Sequence, residues 1–260
     1  MATDYNKIAQ QRITRPADQK RYPKILVYGR NKKGKTTFSI SAGVEQTLVL
    51  DPELGTSELK TKNPHVWNIE KWEDLEDALN FLRYGTHEYK WVSVDGLTRF
   101  ANMALKYVMK LQEEKSLDRI PGFVQQRDYG KSGELMKEMI NRLHKMDLGV
   151  IFTAQERMEE VADSEEDEDA ESADAAYVPD LPRGVRGTIN SVVDVIGRLY
   201  IVKNEDDRPE RRLWIGESLR YDTGYRSDYP MPDYLKNPTI PRLVRLIRTG
   251  KPTAAKASKS

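Results

Sequence analysis

Cysteine is absent from this chain of 260 residues, which removes disulfides, thiolate-ligated zinc and cysteine nucleophiles at once. Histidine occurs only three times, at His65, His87 and His144, too scattered for a His-rich metal cluster. No apolar run approaches the roughly 20 residues needed to span a bilayer. The N-terminal stretch is polar, with no apolar core of the kind a secretory signal carries, so a membrane partner is not expected and a cytoplasmic location is. An excess of one sign of charge is also lacking: the net charge is only +1. That near-balance is local in origin. Residues 159–174, EEVADSEEDEDAESAD, hold ten acids and no Lys or Arg; without them 42 basic residues face 31 acidic ones, about +11. A basic body with one acidic insert suits a polyanionic partner.

What is present is an alternation of short apolar runs and helical periodicities. KILVY (24–28), TLVLD (47–51), HVWNI (65–69), KWVSVD (90–95) and GVIFTA (149–154) read as strands. Between them, KTTFSISAG, WEDLEDALNFLRYG, LTRFANMALKYVMKLQEEK and SGELMKEMINRLHKM read as helices. This order predicts an α/β fold with a mostly parallel sheet flanked by helices. Two further strand-like runs, 192–203 and 211–218, predict an antiparallel C-terminal hairpin extending the sheet. The expected division is a flexible arm over 1–22, a main α/β domain over 23–248 with an acidic disordered loop at about 158–180, and a disordered tail over 249–260.

The first strand runs into Gly29-Arg30-Asn31-Lys32-Lys33-Gly34-Lys35-Thr36-Thr37, which fills every fixed position of G-x-x-x-x-G-K-[ST] between a strand and a helix. The glycines let backbone N–H groups turn inward around phosphate oxygens, and the helix N-terminus adds its dipole. Lys35 suits the β and γ phosphates of ATP and the Thr36 hydroxyl suits Mg2+. Arg30, Lys32 and Lys33 are expected to face solvent. Asp95 closes WVSVD as a Walker-B carboxylate would, a second Mg2+-positioning group. Asp51 and Glu53, at the end of LVLDPELG, are both placed to orient an attacking water. Gln155 ends GVIFTAQ at the same sheet edge, where it can sense the γ-phosphate.

In their order, GRNKKGKTT, LVLDPELG, WVSVDGLTRF and GVIFTAQERM resemble the RecA-type core, especially the small phage RecA-like ATPases that act as single-strand annealing proteins. The resemblance spans roughly 22–220. It implies a RecA-like P-loop NTPase that hydrolyses ATP, with Glu53 as catalytic base and Gln155 as switch. Single-stranded DNA is then the expected partner, with a ring or filament of identical subunits, inside an infected bacterial host, and a single-strand DNA-binding protein is a further expected partner. The resemblance also places DNA contacts at Arg183 and Arg186, and a cation acting in trans at Arg220 or Arg226. The acidic 159–174 run departs from the family and suggests a flap competing with DNA. A second basic and aromatic stretch, DRIPGFVQQRDYGKSG, offers Arg119, Arg127, Tyr129 and Lys131 to a single strand. Two other functions fit the residues: a nucleotide-gated DNA-binding module that does not hydrolyse, and a replication helicase or loader ATPase.

Overall fold

The apolar run at 24–28 becomes strand β1 (Lys24–Tyr28), buried along its whole length. An unbroken apolar strand needs cover on both faces, and the rest of the chain supplies it. The computed structural model describes residues 5–15, 22–116, 118–160 and 175–251. The acidic 161–174 segment and the 252–260 tail lie outside these residues.

Parallel neighbours of β1 accumulate on both sides. They are β2 (Thr47–Asp51), β3 (His65–Asn68), β4 (Trp91–Val94), β5 (Gly149–Ala154) and β8 (Val195–Lys203), in the spatial order β3-β2-β4-β5-β1-β8. Beyond β8 the sheet turns antiparallel through β9 (Pro209–Trp214) and β11 (Tyr234–Lys236), with β10 (Gly224–Tyr225) also on β8. The expected mixed sheet and its antiparallel hairpin are therefore both present. One face carries α3 (Trp72–Tyr84), α4 (Leu97–Lys115), α5 (Gln126–His144) and α6 (Arg183–Val192), which bury Leu75, Phe100, Met136 and Ile189 against β1, β4 and β5. The other face packs Phe38 of α2 (Lys35–Ser39) with α7 (Ile240–Thr249). Helix α7, unassigned from sequence, opens on the Thr239 side chain, which accepts from Arg242 N. It closes on Gly250 at φ 64° and buries Ile240, Leu243 and Leu246.

Besides α6 and α7, neither of them expected as a helix, three segments differ from expectation. Residues 5–12 form helix α1 (Tyr5–Arg12) where only an arm was expected. The loop expected over 158–180 includes most of an antiparallel pair, β6 (Glu156–Glu160) and β7 (Ala175–Pro179). Tertiary hydrogen bonds fix β7: Tyr177 N donates to the Arg220 carbonyl (2.7 Å), and its own carbonyl accepts from Asp222 N (3.0 Å). Local propensity carries no trace of such partners. Helix α5 begins at Gln126, six residues before the expected start, so Arg127, Tyr129 and Lys131 sit on its first turns rather than in a loop.

Because six strands run parallel, residues following β1, β2, β4 and β5 gather at one sheet edge. Register is tight there and elsewhere. Gly149 pairs with Trp91, and a Cβ at Gly149 would fall 2.1 Å from the indole ring. Gly149→Ala is predicted to cost about 1–3 kcal/mol through overpacking. Urea unfolding checks this, and a Trp91→Leu background should relieve most of the penalty.

Candidate active site

Strand β1 delivers Gly29 against the backbone of β8: a Cβ there would meet the Leu199 carbonyl at 2.3 Å. The loop then turns through Lys32 at φ 60° and Gly34 at φ 90°, left-handed conformations that aim its amides inward. Helix α2 starts at Lys35, whose Nζ donates to the Gly29 (2.8 Å) and Arg30 (3.0 Å) carbonyls. Burial lowers the Lys35 pKa from its ordinary value, against the opposing pull of Asp95, Glu156 and Glu53.

Asp95 follows β4, one strand removed from β1 because β5 lies between them. Its carboxylate spans that gap. Thr36 Oγ1 donates to Oδ2 at 2.6 Å and Thr153 Oγ1, from β5, donates to Oδ1 at 2.7 Å. Thr153 in turn accepts from Gly96 N at 2.9 Å. Burial raises the Asp95 pKa above its ordinary 3.8, and the two hydroxyls work against that rise. A hydroxyl and one carboxylate are the donor set that holds Mg2+ when phosphate oxygens and water complete its shell. Among the described residues no cluster of three or more His, Cys or carboxylates forms a metal cage, and this chemistry needs none.

These groups line a cleft of about 610 Å3. Asn31, Lys32, Gly34, Lys35, Thr36 and Thr37 form its floor. Asp95, Glu53 and Gln155 stand around it. The two carboxylates offered by β2 separate into different roles. Asp51 is buried, its Oδ1 accepting from Glu53 N (2.9 Å) and its Oδ2 from Thr56 N (2.8 Å) and Thr56 Oγ1 (2.7 Å). With both oxygens engaged it caps the turn that presents Glu53, and it is corrected from water-orienting candidate to positioning residue. Glu53 is exposed in the cleft, its carboxyl carbon 3.8 Å from where a Cβ on Gly96 would stand. The Gln155 backbone is clamped on both sides: its N donates to Thr98 Oγ1 (3.1 Å) and its carbonyl accepts from Asp180 N (2.8 Å).

Three contributors have no local sequence signature. Arg211, on β9, donates Nε to the Lys33 carbonyl at 2.8 Å and lays its guanidinium against Gly34, adding a second cation to the cleft. Glu156 receives Arg30 Nε (3.1 Å) on Oε1 and Arg198 Nε (2.9 Å) on Oε2. Arg30 and Lys32 are exposed as expected; Arg30 nonetheless ion-pairs with Glu156, and Lys32 also lines the cleft. Only the pairing of distant strands brings these groups together.

The other expected residues lie elsewhere. Arg119 is buried and forms a two-pronged ion pair with Asp128, Nη1 to Oδ1 at 3.1 Å and Nη2 to Oδ2. Its guanidinium holds the Asp128 carboxyl below the usual range and is spent on that contact, so Arg119 is corrected from DNA contact to structural anchor. Arg186 pairs with Glu159 at 2.8 Å, which lowers the Glu159 pKa, so this end of the acidic run is a strand residue held by two arginines and no free flap. Arg127, Tyr129, Lys131 and Arg183 are exposed. Arg220 and Arg226 stand outside the cleft of their own chain; Arg226 Nη2 donates to the Ser191 carbonyl at 2.8 Å.

A family profile described as an AAA domain matches residues 21–227. The chain belongs to that family. No curated protein matches it. An AAA-type P-loop ATPase domain implies nucleotide binding, typically with Mg2+. No helix among the described residues is long and apolar enough to cross a membrane.

Burial of Asp95 generates a prediction with a definite sign. Its folded pKa lies above the unfolded one, so the native state binds the extra proton in that window and loses stability as pH rises through it. Asp95→Asn is therefore expected to raise the melting temperature at pH 7 by about 2–4 °C while abolishing hydrolysis. The gain should shrink as pH falls toward the raised pKa of the native carboxyl; scanning calorimetry across a descending pH series checks this.

Proposed function

We propose that this AAA-type ATPase hydrolyses ATP with Glu53 as general base, and that the cycle controls its grip on single-stranded DNA within a homo-oligomer that promotes annealing or strand exchange. The observation that carries the reading is the junction at Gln155. A residue at the cleft edge continues without a break into β6, and its neighbour Glu156 holds both Arg30 of the phosphate loop and Arg198 of β8. A change at the γ-phosphate position can then move the β6–β7 pair and α6 as a unit.

Glu53 suits the base because it is exposed in the cleft, presented by the Asp51-capped turn, and contributes to the field at Lys35. Mg2+, when bound, neutralises charge between the phosphates. Lys35 stabilises the negative charge, Thr36 and Asp95 hold the metal, Glu53 accepts the proton of the attacking water, and Gln155 registers the γ-phosphate. The position of Arg220 and Arg226 outside the cleft suits a cation offered to a neighbouring subunit. Exposed Arg183 at the start of α6, with Arg127, Tyr129 and Lys131 on α5, supplies DNA-facing charge and a stacking surface. The small phage annealing ATPases, which the sequence resembles in the order of its motifs, combine these features.

ATP hydrolysis measured with and without single-stranded DNA tests the proposal. Turnover should rise severalfold with DNA, vanish in Lys35→Ala, and fall about 10²–10⁴-fold in Glu53→Gln with nucleotide binding retained. Turnover indifferent to DNA would count against the recombinase reading and leave the ATPase standing.

A further inference from the structure

A groove of about 600 Å3 lies along α4. Thr98 lines the cleft and its neighbour Arg99 opens the groove, both on the first turn of α4. Arg99, Lys106 and Lys110 line it from α4, and all three are exposed. At 100° per residue they fall within about 40° of one another around the helix, a straight row about 16 Å long. Leu105 and Met109 flank the row on one side, and Gly122 and Val124 make the facing wall. Among the described residues no ion pair involves Arg99, Lys106 or Lys110, whereas many other surface cations here are paired. Glu113, the one acid in the groove, is occupied by holding the wall: its Oε1 accepts from Gly122 N at 2.8 Å.

The rim is apolar where a soluble surface would ordinarily be polar. Phe123, between the two wall residues, is 60% exposed, and Ile120 is 69% exposed. At the far end Lys131 reaches over from α5 to Gln112 (2.8 Å), beside Tyr129, itself 60% exposed. A row of unpaired cations beside an apolar strip with protruding rings fits a polymer with a charged edge and a flat, stackable edge. Single-stranded nucleic acid has that chemistry: phosphates for the row, bases for the rings. An acidic protein surface would satisfy the cations and leave the rings uncovered.

We infer that the outer face of α4, with the 120–124 wall, is a track for single-stranded DNA, gripped at its phosphates by Arg99, Lys106 and Lys110 and stacked by Phe123. The inference rests on the DNA-binding reading above and extends the 118–133 stretch, already offered to a single strand, onto the row of cations along α4. It also supplies a short mechanical route. Arg99 adjoins Thr98, whose hydroxyl accepts from Gln155 N (3.1 Å) and donates to the Asp180 carbonyl (3.0 Å). A strand drawn onto α4 thereby bears on the same turn that clamps the γ-phosphate-sensing residue.

Fluorescence anisotropy of a labelled oligothymidine with the full chain tests the track. The triple variant R99Q/K106Q/K110Q should bind at least tenfold more weakly near 0.1 M salt. Its plot of log affinity against log salt should be shallower by about 2, since each single-strand phosphate contact contributes about 0.7. DNA-independent ATP hydrolysis should stay at the wild-type rate, which shows that the variant is folded. A control of equal charge loss, K62Q/K90Q/K203Q, should bind as wild type. Phe123→Ser should weaken binding with the salt slope unchanged, the mark of lost stacking. If the triple variant binds like the control, the track is wrong while the DNA-binding reading survives. If the wild-type chain binds no oligothymidine, both fall. If polyglutamate competes as well as oligothymidine and loses its hold in the triple variant, the groove is a dock for acidic protein and the nucleic-acid assignment is overturned.

Discussion

One carboxylate holds the site together. Asp95 accepts hydroxyl hydrogen bonds from Thr36 and Thr153, which lie 59 and 58 residues away in the chain. The spatial order of the sheet makes this necessary, since β5 separates the strand bearing the phosphate loop from the strand bearing the carboxylate. Thr153, near the C-terminal end of that intervening strand, bridges the gap. Each charge-assisted bond contributes roughly 1.5–3 kcal/mol, which offsets part of the desolvation that raises the Asp95 pKa. A carboxylate held partly against its solvation preference gains from any cation brought beside it.

A second carboxylate carries the site outward. Glu156, with a side chain only 5% exposed, joins Arg30 of the phosphate loop to Arg198 of β8. Arg198 lies over the rings of Tyr177 and Tyr221, at 4.4 and 4.5 Å, and the Tyr28 hydroxyl donates to the Tyr177 carbonyl at 2.9 Å. The β6–β7 pair is thus tied to β1, β8 and the segment at 221 by directional contacts. A rigid, fully paired junction next to Gln155 transmits displacement better than a loose loop would.

Much of this was legible from sequence. The phosphate loop, the strand ends bearing Glu53, Asp95 and Gln155, and the parallel order of the sheet follow from short apolar runs and one motif, because each is local. Contacts between distant strands were not legible. Arg211 reaches Gly34 only because β9 folds back along β8, and nothing around it in sequence marks it. Arg119 looked like a surface cation until Asp128, nine residues on, proved to be its buried partner. The β6–β7 pair was masked by acidic composition, and its partners at 220–222 lie more than forty residues downstream of Tyr177. By residue type alone Asp51 and Glu53 were equivalent, and the resemblance favoured Glu53; the Thr56 turn shows that Asp51 is a cap.

The central claim is that nucleotide at the phosphate loop is felt in the β6–β7 pair through Gln155 and Glu156. Amide hydrogen exchange with and without a non-hydrolysable ATP analogue tests it most directly. The account predicts slowed exchange at 29–36 together with 155–160, 175–179 and 211–214. Protection confined to 29–36, with the β6–β7 pair exchanging as before, would contradict it.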